Sequence, residues 1–249
     1  MKTALITGTS SGIGEAFAKT LLDLGWYVIG ISRRQNIELE QHSNFTQITM
    51  DLSKPVDQLF LQKHLGTRTV NLLVNNAGTL KLTQSAEWDE DNYTRSISVH
   101  YRAPLQLLAL LRKNLSGGMV LSVLSTASHI GWDNYAYYGA SKAALWLHMK
   151  SFAVGNPDIT CISLHPSMVD TPITEIDSWK PAERKEFMTT TEMSRILTQL
   201  VTGVLSLPSG SSLFIANEWE RSDLALFGEK TYFYNTDTDE LKQLPNHAL

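Results

Sequence analysis

The chain of 249 residues holds one cysteine, Cys161, so no disulfide can close within it and no cysteine-rich metal centre is available. Its seven histidines, His42, His64, His100, His129, His148, His165 and His247, fall in neither HxH nor HExxH spacing, and no metal site is expected. No apolar run reaches the roughly 18–20 residues of a membrane span, so no membrane partner is expected either. Basic residues do not cluster beyond Arg33-Arg34, which leaves no footprint for a nucleic acid. Met1-Lys2 leads straight into Thr3-Ala4-Leu5-Ile6-Thr7, a buried-strand pattern rather than a signal peptide. With a net charge of −4, 43% hydrophobic and 18% charged residues, the expectation is a cytoplasmic globular protein. Its length fits one large α/β domain or two small ones.

What is present is an alternation. Short apolar runs at Thr3–Thr7, Trp26–Ser32, Phe45–Met50, Val70–Val74, Met119–Leu124, Thr160–Leu164 and Ser212–Ala216 are predicted strands. Between them lie segments of helical spacing, the last carrying Met193, Ile196, Leu197, Leu200, Val201 and Val204, with Thr190 and Thr191 ahead of Glu192 as capping residues. Strand–helix alternation predicts βαβ units, a mostly parallel seven-stranded sheet and right-handed crossovers. Asp170–Met188 reads as a surface excursion, and Tyr232-Phe233-Tyr234 with the following Asn235–Asp239 as a strand and turn or a small hairpin in the tail. Glu87, Asp89, Glu90 and Asp91 are expected in a helix's first turn, where its dipole favours acid.

Directly after the first strand stands Thr7-Gly8-Thr9-Ser10-Ser11-Gly12-Ile13-Gly14, opening a helix that runs to about Leu24-Gly25. Glycines let the backbone turn sharply and approach a pyrophosphate, while the helix's free N–H groups and dipole favour the anion. The spacing is GxxxGxG rather than GxGxxG, so the fingerprint applies through its mechanism. The second strand ends in Arg33-Arg34, where an acidic residue would suit the ribose 2′-hydroxyl of NAD. Arginines suit the 2′-phosphate of NADP; solvated surface arginines are the alternative.

One segment carries reaction chemistry. Tyr138 and Lys142, four apart, share a helix face. A phenol with a pKa of about 10 is a poor acid–base at neutrality, and an adjacent ammonium is expected to lower it. Ser125, at the carboxyl end of Met119–Leu124, is placed to hydrogen-bond a substrate oxygen at the same spot. Trp132, Tyr135, Tyr137 and Trp179 are candidates for an aromatic pocket wall or for core.

These motifs together resemble the short-chain dehydrogenase/reductase family, of the single-domain type, over about residues 3 to 216. The family's cofactor turn is matched by Thr7, Gly8, Gly12 and Gly14, and its adenine-contacting Asp-Leu by Asp51-Leu52. Its Asn-Asn-Ala-Gly is matched by Asn75-Asn76-Ala77-Gly78, its catalytic serine by Ser125 and its Tyr-x-x-x-Lys by Tyr138 and Lys142. Ile31–Asn36 and Val169-Asp170-Thr171 look most like the NADPH-dependent bacterial sepiapterin-reductase or benzil-reductase branch. The resemblance implies a Rossmann-like doubly wound fold binding NADP(H) through Gly8, Ser10, Ser11, Gly12, Ile13, Gly14, Arg33, Arg34, Asp51, Leu52, Asn75, Ala77, Gly78, Tyr138, Lys142, Pro166, Val169 and Thr171. It also implies reduction of a carbonyl to an alcohol, with Ser125 holding the oxygen, Tyr138 delivering the proton and Lys142 lowering the tyrosine's pKa and binding the nicotinamide ribose. Asp170–Met188 would then be a substrate flap. A homodimer or homotetramer through the Leu105–Leu111 stretch is implied as well, with core packing of those leucines as the alternative.

Two positions depart from the family. His100 stands where an asparagine bends a helix and holds a water between lysine and solvent, and Pro166-Ser167 replaces Pro-Gly. A histidine donates and accepts hydrogen bonds and titrates near neutrality, so a proton relay through His100 and simple space filling are both open. The rival functions are a non-catalytic NADP-binding sensor or scaffold and an NAD-linked alcohol dehydrogenase. The interleaved motifs predict one catalytic domain over 1–249, with a core of 1–216 and an extension at 217–249.

Overall fold

A computed structural model of the chain describes residues 1–175, 187–216 and 231–243. Strict alternation of apolar side chains along each strand sends them to two opposite faces. Ala4 and Ile6 of β1 (Thr3–Thr7) join one buried cluster and Leu5 the other. Leu72 and Val74 part from Leu73 in the same way on β4 (Leu72–Asn75).

The remaining strands are β2 (Tyr27–Ser32), β3 (Phe45–Thr49), β5 (Met119–Val123), β6 (Thr160–Pro166), β7 (Ser211–Ala216), β8 (Thr231–Asn235) and β9 (Glu240–Gln243). One sheet holds them all in the order β3-β2-β1-β4-β5-β6-β7-β8-β9. The seven expected strands are there within about two residues, but among the described residues the sheet has nine. The tail adds β8, parallel to β7 with Phe214 opposite Phe233, and β9, antiparallel to β8. Arg195 holds this hairpin, donating to the Thr236 carbonyl at 3.1 Å and pairing with Asp239 at 3.4 Å.

Helices cover both faces. On one side α1 (Gly12–Asp23) packs Phe17, Ala18 and Leu21 beside Met193, Ile196 and Leu197 of α7 (Thr190–Thr202). On the other, α3 (Gln58–Leu65), α5 (Ala103–Leu111) and α6 (Ala136–Gly155) bury Leu61, Leu107, Leu111, Leu145 and Met149. Two further helices are α2 (Ile37–Glu40) and α4 (Glu90–Ile97). α1 stops at Gly25, whose φ of +76° turns the chain so that its N–H reaches the Leu22 carbonyl. α7 is capped by Thr189, one residue before the expected pair. Its hydroxyl accepts the Glu192 N–H while the Glu192 carboxylate takes the Thr189 N–H, the reciprocal box that only this spacing closes. Asp89 caps α4, with Glu90 and Asp91 in its first turn as expected. Leu107, Leu108 and Leu111 are core, with Leu105 and Leu110 half-buried against them.

Between α4 and α5, Ser98–Arg102 forms a π-helical turn. Among the described residues no helix is long and apolar enough to cross a membrane. The base of the Asp170–Met188 excursion is pinned by Asp170 N–H to the Met188 carbonyl and Met188 N–H to the Met168 carbonyl. Residues 176–186, including Trp179, and the tail at 217–230 and 244–249 lie outside the described residues.

Candidate active site

The strand order reverses between β1 and β4, and a cleft opens there at the carboxyl ends of the strands, as a doubly wound sheet dictates. Thr7 ties the two strand ends together. Its hydroxyl donates to the Val74 carbonyl and accepts the N–H groups of Asn76 and Ala77, both at 2.9 Å. Beside it the glycine turn forms one wall, with Gly8 at φ +80° and Gly12 at φ +64°, a region only glycine enters cheaply. A Cβ at Gly12 would stand 3.2 Å from the Thr171 methyl. Ser11 caps α1 in extended backbone with no side-chain bond to the helix amides, so the first-turn N–H groups keep their capacity for an anion.

Of the expected cofactor contacts, Gly8, Ser10, Ser11, Gly12, Ile13, Arg33, Arg34, Asp51, Leu52, Ala77, Gly78, Tyr138, Lys142, Pro166, Val169 and Thr171 all line this cleft. Gly14 and Asn75 do not. Gly14 lies beneath the turn, against the Gly8 carbonyl, and Asn75 turns into the sheet, where its amide donates to Ser122 Oγ. Strand alternation puts Asn76 on the wall instead, its amide bracing the carbonyls of Thr7 and Gly8. Arg95 of α4 also lines the cleft, a residue that no local motif marks. At the Arg33–Arg34 end, the Ser53 N–H chiefly, then its hydroxyl and the charges of Arg33 and Arg95, hold the Asp51 carboxyl below its usual range against the opposing effect of burial.

Ser125, Tyr138 and Lys142 line this same cleft. Ser125 follows β5 as the cap of a 3-10 turn, Thr126–Ser128, and its Oγ accepts the Ala127 N–H at 3.1 Å. Lys142 is buried, its Nζ donating to the Val123 carbonyl at 2.8 Å and lying 5.6 Å from the Tyr138 ring centre. The expected lowering of the phenol by the ammonium is reversed. Burial pushes Tyr138 up to about 12, against the hydrogen bond from Ser125, and burial pushes Lys142 down to about 7. Desolvation is the largest cause for both groups. Tyr138 is therefore a protonated donor across the neutral range.

His100 is off the cleft. Its Nε2 accepts the Thr79 N–H at 2.9 Å, so Nδ1 carries the hydrogen and donates to Ser141 Oγ at 2.8 Å, and Ser141 donates to the Tyr138 carbonyl. It does not titrate near neutrality: burial, then the Lys142 charge, hold it well below the usual histidine value. Trp132 and Tyr135 line the cleft, whereas the Tyr137 hydroxyl is engaged by the Glu87 carbonyl and the Asp89 N–H. Among the described residues no group of three or more His, Cys, Asp or Glu is placed to hold a metal.

A doubly wound sheet with an anion-binding turn at its switch point and a serine, tyrosine and lysine in the same cleft defines a Rossmann-like dinucleotide-binding oxidoreductase. The chain belongs to the short chain dehydrogenase family, whose profile matches residues 2–181. It is similar to L-xylulose reductase of Bos taurus, 30% identical over 195 residues, covering 74% of this chain and 78% of that one. It is also 31% identical over 167 residues to 2-dehydro-3-deoxy-D-gluconate 5-dehydrogenase of Bacillus subtilis, covering 61% of this chain and 64% of that relative. Among solved structures, alcohol dehydrogenase of the archaeon Thermococcus sibiricus, complexed with 5-hydroxy-NADP, matches with a TM-score of 0.76 and 27% identity over 86% of this chain and 95% of that one. Matched structures of the family carry NADH or NADPH.

Proposed function

We propose that the protein is an NADPH-dependent reductase that converts the carbonyl of a ketone, diketone or pterin-type side-chain ketone to an alcohol. The observation that carries this reading is the meeting of Ser125, Tyr138 and Lys142 in the cleft that also holds the glycine turn and two arginines. The residues fit a dinucleotide phosphate. The turn leaves no room for side chains at Gly8 and Gly12, the α1 amides are open, and Arg33 and Arg34 stand where a 2′-phosphate would meet them. Bound NADPH supplies the hydride. Arg95 adds positive charge at the same end.

Ser125, whose Oγ accepts the Ala127 N–H and whose hydroxyl reaches Tyr138, would turn its proton to the carbonyl oxygen once a substrate is bound. Tyr138, protonated at neutrality, gives its proton to that oxygen as negative charge grows there. Lys142, held by the Val123 carbonyl, supports the phenolate that results. A homo-oligomer is part of the proposal, supported by Leu147 and Val154, which α6 exposes at 63% and 84%.

Replacing Tyr138 with phenylalanine tests it. Loss of a general acid is expected to lower kcat about 100-fold to 10,000-fold with NADPH affinity retained, measured by NADPH consumption over a ketone and diketone panel. Turnover close to that of the unaltered protein would overturn the mechanism, and cofactor binding without turnover of any carbonyl would favour a binding protein.

A further inference from the structure

Behind Ser125 lies a group of polar side chains with no part in the chemistry above. His165, near the end of β6, is fully buried, and the adjoining Pro166 lines the cleft. Its ring stacks on Phe214 of β7 at 4.6 Å, with 18° between the planes. His129 lies 4.6 Å away and packs in turn against Trp146 at 4.2 Å. His165 Nδ1 is 3.0 Å from Ser128 Oγ, 3.1 Å from His129 Nε2 and 3.4 Å from the Ser125 carbonyl oxygen.

Hydrogen bookkeeping assigns the tautomer. The Ser128 hydroxyl donates its one proton to the Ser125 carbonyl at 2.5 Å, and the Ser128 N–H reaches the same oxygen at 3.0 Å. With that proton committed, Ser128 Oγ meets the imidazole as an acceptor, so His165 Nδ1 carries the hydrogen, with Ser128 Oγ at 3.0 Å the nearest of three acceptors that also include His129 Nε2 and the Ser125 carbonyl. Nε2 is then a lone pair, without a hydrogen-bond partner among the described residues. A donor N–H there would be the costlier group to leave unpaired. Both imidazoles stay neutral: burial above all holds His165 well below the usual histidine value and brings His129 to about 3. A phenylalanine would fill the same space beside Phe214 with no unpaired nitrogen, so packing alone does not account for an imidazole here.

We infer that His165 is a positioning residue for Ser125: its Nδ1–H holds the Ser128 hydroxyl, which holds the Ser125 carbonyl and fixes the Thr126–Ser128 turn. In that turn the Ala127 N–H occupies one lone pair of Ser125 Oγ, and the serine lines the cleft within reach of Tyr138. The inference rests on the proposed carbonyl reduction for its catalytic meaning, though not for the geometry of the turn.

The test compares His165→Phe, His165→Asn and His165→Gln with the unaltered protein and with Ser125→Ala. An asparagine amide reaches the place of Nδ1, and a glutamine amide the place of Nε2. His165→Phe is expected to melt no lower than the unaltered protein and to bind NADPH unchanged. Its kcat should fall about 10-fold to 100-fold, as a misplaced reacting group does. His165→Asn should recover most of that kcat and His165→Gln should not. Amide hydrogen exchange at Ala127 and Ser128 should quicken about tenfold in His165→Phe and His165→Gln only. Unchanged kcat and exchange in His165→Phe, or Asn and Gln variants impaired alike, would overturn the inference. If no carbonyl is reduced the reductase reading fails instead, and if Ser125→Ala keeps full turnover the catalytic role of Ser125 fails; in either case the exchange rates still decide whether His165 holds the turn.

Discussion

Adding one methyl group at Gly14 should damage the cleft, although alanine is the better helix former. A Cβ built there stands 2.3 Å from the Gly8 carbonyl oxygen and 2.4 Å from Asn76 Nδ2. Ordinary contact begins more than an ångström further out. Neither neighbour is free to retreat, because the Gly8 N–H is bound to the Ile31 carbonyl at 2.7 Å and the Asn76 amide to the Thr7 carbonyl at 2.9 Å. Overpacking of this kind costs about 1–3 kcal/mol, and the helix propensity of alanine returns about 1 kcal/mol. A net loss of up to about 2 kcal/mol lowers the melting temperature by up to about 8 °C in a chain of this size. Displacing two backbone donors from a phosphate, at about 1.5 kcal/mol or more each, weakens NADPH binding about 100-fold. Gly155→Ala is the control, an exposed residue at the end of α6 with nothing within 4 Å of the added carbon. It should stabilise by about 0.4–1 kcal/mol and leave binding untouched. Fluorescence titration and thermal melting of both variants decide the matter. A Gly14→Ala protein that melts and binds like the unaltered one would refute the close-approach argument.

Arg33→Asp should shift cofactor preference toward NADH, since a carboxylate suits a ribose hydroxyl and repels a 2′-phosphate; an unchanged NADPH/NADH ratio in kcat/KM would remove that arginine from the site. Lys142, brought down to about 7, carries its ammonium below that pH and loses it as the pH rises. The kcat/KM for reduction should therefore be level below about pH 7 and decline above it, with no further break from Tyr138; a profile flat to roughly pH 9 would contradict the assignment. Thr189→Ala should lose about 1 kcal/mol of stability by opening the capping box, while the same change at Thr190 should lie within about 0.5 kcal/mol of zero, as thermal melts would register.

Much of this is legible in the sequence, for identifiable reasons. Buried parallel strands are short apolar runs, so seven of the nine stand out at once. The glycine turn and the Ser125, Tyr138 and Lys142 positions are local patterns attached to strand and helix ends. The Tyr232–Tyr234 run also shows a strand, but nothing within that run states which strand it pairs with or in which direction. Asn75 and Asn76 could be told apart only by which way strand alternation points at the end of β4. The directions of the Tyr138 and Lys142 shifts follow from burial on the cleft floor, which spacing does not reveal. His100 was visible as an oddity, yet its neutrality depends on Thr79 and Ser141, 21 residues before it and 41 after it.

The π-helical turn at Ser98–Arg102 has a consequence for how one stretch of chain is shared. An α-helix advances about 100° per residue, so three successive side chains cannot all point inward from it. The wider turn rotates more slowly, and Ser98, Val99 and His100 are all buried. Adjacent residues thereby take separate duties: Val99 contributes to the cleft wall, and His100 fastens Thr79 to Ser141 behind it. Deleting a single residue from this turn would restore a regular helix and force the two duties onto one position, so the chain should tolerate substitution there far better than loss of length.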